Sequence, residues 1–102
     1  MNNNVKNLLP VADFLGAVLG ENTEIIVHDL TSYNQSIVHI INGHISNRKI
    51  GDPITDLVVE FITNESKGDK KFICNYNSKT INNKLLYSST YFIRDDKNNI
   101  VG

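Results

Sequence analysis

Cysteine is all but absent from this sequence. The single thiol, Cys74, excludes an internal disulfide and any zinc site built from clustered cysteines. It follows Phe72 and Ile73, so a buried, unreactive thiol is expected. An excess of charge is missing too: ten Lys and Arg stand against eleven Asp and Glu, and the basic residues are scattered. That excludes the electrostatic footprint of a nucleic-acid surface. No run of eighteen apolar residues is present to cross a membrane, and Met1-Asn2-Asn3-Asn4 lacks the basic-then-apolar order of a secretory leader. These absences predict a cytoplasmic chain without a membrane partner. What is present, 40% hydrophobic and 21% charged residues over 102 positions, is the make-up of one folded domain.

The apolar spacing at Val5, Leu8, Leu9, Ala12, Leu15, Val18 and Leu19 predicts an amphipathic helix. Pro10 either starts or kinks it, and Gly20 ends it. The β-branched run Glu24–Leu30 reads as a strand, and after the turn residues 31–35 a second strand, Ser36–Asn42, pairs with it antiparallel. Ile54, Leu57, Val58, Phe61 and Ile62 form one helical stripe. A polar break over residues 64–71 leads to strands at 72–80 and 84–94, turning at Asn82-Asn83. Asp95–Asn99 is a further hairpin turn, and Ile100-Val101-Gly102 reads as the first residues of a fifth strand. The expectation is therefore an α+β domain with the outline of a PAS or GAF-type fold, a PAS-like single antiparallel sheet of about five strands with flanking helices, its last strand truncated. Such an edge beside residues 84–94 predicts association between copies.

The chain is organised around Asn42–Leu57. Gly43 and Gly51 mark sharp turns, and Asp52-Pro53 predicts a helix start. Between them lie His44, Ser46, Asn47, Arg48 and Lys49, which are either binding groups or a solvated crossover. Arg48 suits an anionic group, because a guanidinium binds two oxygens at once. Its alternative role is an ion pair with Asp52 or Asp56.

Three histidines, His28, His39 and His44, invite a metal reading. Strand alternation makes their convergence depend on one register, and no HxH or HExxH spacing supports it, so no metal is assigned. No nucleophile elbow and no Gly-rich phosphate loop occurs, so no enzyme activity and no cofactor is assigned. The Ser88-Ser89-Thr90 run is either hydroxyl-bearing strand polarity or a source of ligand contacts.

Ile26-Val27-His28-Asp29-Leu30, Ser36-Ile37-Val38 and above all the Asn42–Leu57 run resemble the signature of the YheO-like PAS domain family. Asn75-Tyr76, Ser88-Ser89-Thr90, Phe92-Ile93-Arg94-Asp95 and Ile100-Val101-Gly102 follow in the matching order, so the resemblance covers nearly the whole chain from Leu8 onward. One departure is Ile81-Asn82-Asn83-Lys84, where the family carries a charged, glycine-containing turn. The resemblance implies an N-terminal PAS-like sensor domain, here 1–102, of a bacterial transcriptional regulator. DNA is then met only through a C-terminal helix-turn-helix segment outside these residues. The expected function is small-molecule sensing within a homodimer, with an unidentified ligand. The alternative is a ligand-independent dimerisation or scaffold module. Candidate ligand contacts are His28, His39, Asn42, His44, Ser46, Arg48, Asn75, Thr90 and Phe92. Val5, Leu8, Leu15 and Leu19 are candidates for a helix-to-helix dimer face.

Overall fold

A computed structural model describes residues 1–80 and 82–102. The Ile81 position of the unusual turn lies outside the described residues. Helix α1 (Asn3–Lys6) and helix α2 (Leu9–Leu19) replace the single N-terminal helix. The break falls at Asn7-Leu8, just before Pro10, which occupies the first turn of α2 where its missing N–H costs nothing. Gly20, at a φ of 84°, ends α2 as expected.

Strand β1 (Ile25–His28) pairs antiparallel with β2 (Ile37–Ile41) through a short 3-10 turn at Tyr33–Gln35. Val27 lies opposite His39 and Ile25 opposite Ile41, with an irregularity between Val27 and His28. Helix α2 packs on this hairpin, and Val5, Ala12 and Val27 form a core flanked by Leu9, Ile25, Ile41 and Ile93. Val5 is fully buried (0% exposed), so it belongs to this core and not to an outer dimer face. The outward stripe of α2 is Phe14 and Val18 (66% and 63% exposed), with Val11, Leu15 and Leu19 beside them.

Helix α3 (Asp56–Glu65) begins three residues later than an N-cap at Asp52 would place it. The reason is backbone pairing: Gly51 N–H donates to the Ile37 carbonyl, Ile37 N–H to Asp52 and Ile54 N–H to Tyr33 (2.8, 3.2 and 3.0 Å). These bonds tie residues 51–54 to the start of β2 and to the turn before it. The Asp52 carboxylate accepts from Lys49 N–H (2.9 Å), and Thr55 caps α3 by accepting from Val58 N–H (3.4 Å).

Strand β3 (Phe72–Lys79) and β4 (Leu85–Tyr91) form a second antiparallel hairpin with a bulge between Ile73 and Tyr76. Asn75 takes a φ of 62° at this bulge. Phe61 of α3 meets Tyr76 edge-on, with centroids 5.1 Å apart. The opposite face of the hairpin, with Phe72, Leu85, Tyr87 and Tyr91, is exposed. Cys74 is exposed as well, contrary to the expectation drawn from its apolar neighbours.

The sheet also departs from expectation. The strands form two separate two-stranded sheets, β1-β2 and β3-β4, rather than one sheet of five. Among the described residues, the backbone bonds that join them come from the last residues: Val101 N–H donates to Ile93 (2.8 Å), Ile93 N–H to Gly102 (3.0 Å), and Leu30 N–H to Val101 (3.0 Å). Arg94 and Ile100 form an isolated bridge across the Asp95–Asn99 turn. Three residues can stitch the two hairpins at one end, which is too short a span to merge them along their length.

Candidate functional site

Beyond that stitch the hairpins leave a groove of about 2000 Å³. β1 and β4 contribute to its walls, together with residues 44–48, 52–55 and the first turns of α3. A site fitted to one small molecule encloses roughly 300–1,000 Å³. The groove is thus an open trough, and a small ligand occupies only part of it.

The Asn42–Thr55 loop is tied down at each turn. Asn42, at a φ of 60°, donates its amide to the carbonyls of Gly20 (3.0 Å) and Thr23 (2.8 Å). Asn47 N–H donates to Gly43 (2.8 Å). Gly43 is needed for space, because a Cβ there would come within 3.2 Å of the Arg48 carbonyl. The Ser46 hydroxyl donates to Glu24 (2.7 Å) and accepts from Arg48 N–H (3.2 Å), fixing the loop to the residue before β1. The Arg48 guanidinium donates to the Pro53 carbonyl. Arg48 makes no ion pair with Asp52 or Asp56, and among the described residues the sole ion pair is His39–Asp13.

His28 and His39 face different surroundings. His28 lines the groove, its Nδ1 2.8 Å from the Oγ of the fully buried Ser36. Burial, and then the charge of Arg48, lowers its pKa to about 4, so the ring is neutral at physiological pH. His39 instead meets Asp13 of α2 at 2.6 Å. His44 is exposed on the groove. The three rings do not converge, and among the described residues no group of three His, Cys, Asp or Glu is placed to hold a metal.

On the other wall, Thr90 pairs with the Tyr76 hydroxyl (2.6 Å) and Ser78 with Ser88 (2.7 Å), a short ladder of cross-strand hydroxyls. Phe92 is buried (3% exposed) and lines the groove. Ser89 accepts from Asn75 N–H (3.1 Å) at the bulge. Of the nine residues singled out in the sequence, the groove gathers His28, His44, Ser46, Arg48, Thr90 and Phe92. His39, Asn42 and Asn75 lie away from it. Sequence reasoning passed over Glu24, Ser36 and Tyr76, the partners that orient three of those six. Alternation along β1 places Glu24 and His28 on one side, which was the available signal for Glu24. Nothing local marks Ser36.

Two antiparallel hairpins, helices packed about them and a groove opening between the hairpins are consistent with a PAS-like regulatory domain. The chain belongs to the YheO-like PAS domain family, whose model matches residues 1–102. An uncharacterised protein of Haemophilus influenzae is 36% identical over 93 residues, covering 90% of this chain and 41% of its own length. The uncharacterised protein YheO of Escherichia coli is 31% identical over 98 residues, covering 96% of this chain and 41% of its own length. The chain thus spans about two-fifths of the curated relatives it matches. No solved structure matches it. No helix of the described residues is long and apolar enough to cross a membrane.

Proposed function

We propose that this chain is the small-molecule-sensing, dimerising domain of a bacterial DNA-binding transcriptional regulator, working in the cytoplasm without catalysis or a resident cofactor. The observation that carries the proposal is the groove: apolar walls, a tethered loop, and one arginine with no acidic partner among the described residues. A few fixed polar groups in an apolar recess are what a small-molecule site requires. DNA contact falls to a helix-turn-helix segment outside 1–102, in keeping with a net charge of −1 and with relatives more than twice as long. Signalling needs a ligand that favours one arrangement of the Asn42–Thr55 loop and α3 over another, since equal affinity shifts nothing.

A thermal-shift screen with amino acids, keto acids, nucleobases and small sugars tests this. A ligand at about 100 times its dissociation constant stabilises the fold by roughly 2.7 kcal/mol, a shift of several degrees in a domain this size. A selective shift supports sensing. No shift, with a stable dimer in sedimentation, favours the second reading, a ligand-independent dimerisation module. The exposed Phe14 and Val18 stripe on α2 speaks for that module.

A further inference from the structure

The groove carries a second-order feature that narrows its ligand. Ser36 is fully buried, and among the described residues His28 is the one partner of its hydroxyl. A buried hydroxyl hydrogen needs an acceptor, and Nδ1 is the acceptor within reach. Ser36 therefore donates to Nδ1, which places the ring proton of neutral His28 on Nε2. Nε2 has no partner among the described residues, and the ring lines the groove, so His28 offers it one neutral N–H donor. Protonating Nδ1 would orphan the Ser36 hydrogen, a further reason for the ring to stay neutral.

Arg48 supplies the positive charge. One of its five N–H groups goes to the Pro53 carbonyl, and no described carboxylate lies within ion-pair distance of the guanidinium. The carboxylates that share the groove with it are Asp52, which accepts from Lys49 N–H (2.9 Å), and Glu24, on the same side of the first strand as His28. The Glu24 carboxylate is engaged by the Ser46 hydroxyl and N–H (2.7 and 3.3 Å). A half-buried guanidinium left without an anion, on the same groove as a neutral donor, is an incomplete site. We infer that the groove takes a small organic carboxylate, its charged end between Arg48 and the Nε2 edge of His28, its apolar part against walls such as Ile26 and Phe92. At Arg48 itself a monoanion balances the one guanidinium charge, whereas a phosphate dianion would also need an ammonium of Lys79 or Lys84, which line the same groove. The inference rests on the sensing proposal and gives it a ligand class.

Matched acids and amides separate the two. Butyrate and hexanoate, with butyramide, hexanamide and inorganic phosphate at equal ionic strength, are titrated into the 102-residue chain, and the His28 imidazole is followed by NMR. The expected result is saturable binding of the acids with a rise in the His28 pKa above about 4. Affinity should increase up to about fourfold per added methylene. The advantage of acid over amide should vanish in Arg48→Gln and survive in part in Arg48→Lys. Equal binding of amide and acid overturns the carboxylate assignment and leaves sensing intact. So does tighter binding of phosphate, or an acid preference that persists in a folded Arg48→Gln. Failure of acids and amides alike to perturb any groove resonance overturns the carboxylate assignment, and sensing itself is then decided by the thermal-shift screen.

Discussion

Gly16 is buried in the middle of α2, where glycine costs roughly 1 kcal/mol relative to alanine. It is kept for space, since a Cβ there would sit 2.7 Å from Cγ2 of Ile41. Gly16→Ala is therefore expected to destabilise the domain despite its better helix propensity, by about 1–3 kcal/mol of overpacking; urea unfolding measures this, and a gain in stability would show that Ile41 yields. Asp29 (4% exposed) is the second such residue. Burial alone would raise its pKa, but donors from the Thr31 hydroxyl (2.6 Å), Thr31 N–H (2.9 Å) and Asn2 N–H (2.7 Å) outweigh it and bring the pKa below 3.8. A depressed folded-state pKa stabilises the fold above the unfolded value, and that stabilisation is lost as pH falls through the folded value. Asp29→Asn should thus cost stability at pH 7, with the gap to wild type narrowing in acid below the ordinary aspartate range. Melting curves across pH check it. Neither role is legible in the sequence, where Gly16 reads as a weak point in a helix and Asp29 as the end of a strand.

Among the elements, the strands and helices themselves were legible, because their apolar periods are clear. The boundaries that failed did so for long-range reasons. Asp52-Pro53 has the chemistry of a helix start, but backbone bonds from residues 51–54 to Tyr33 and Ile37 keep that segment out of the helix. Thr55→Ala is the resulting test: loss of the real cap should cost about 1 kcal/mol, whereas Asp52→Ala should disturb the Lys49–Asp52 turn and leave the helix content unchanged by circular dichroism. Asparagine told more than its abundance suggested. Every non-glycine residue with positive φ among the described ones is Asn: Asn42, Asn47, Asn75, Asn83 and Asn98. A short amide side chain tolerates this conformation, so turns at Asn83 and Asn98 could be read directly. The bulge at Asn75 could not, since it depends on the register with β4. Unpaired β1 and β4 edges beyond the Val101–Gly102 stitch also favour pairing between copies. Association that grows with concentration is expected in sedimentation, and a clean monomer at high concentration would contradict it.

In the whole molecule, two hairpins meet at one end and part at the other, and the candidate site is the space they leave. The sequence carried six of its residues, three of them (His44, Ser46 and Arg48) because the Asn42–Leu57 run is compact and chemically distinctive. It misled on His39, Asn42 and Asn75, whose destinations depend on which face of a sheet meets α2, on a remote cap and on a bulge. Family membership now rests on the whole chain, yet the named relatives are themselves uncharacterised, so the groove and not the family points to the ligand. The most direct test is hydrogen–deuterium exchange with and without the compound that stabilises the domain most in the thermal screen. Exchange should slow at Ile26–His28, His44–Arg48 and Ser88–Phe92, with Phe14 and Val18 of α2, which lie off the groove, unchanged. Protection confined to Phe14 and Val18, or spread evenly with no increase along the groove, would contradict a ligand seated between the hairpins.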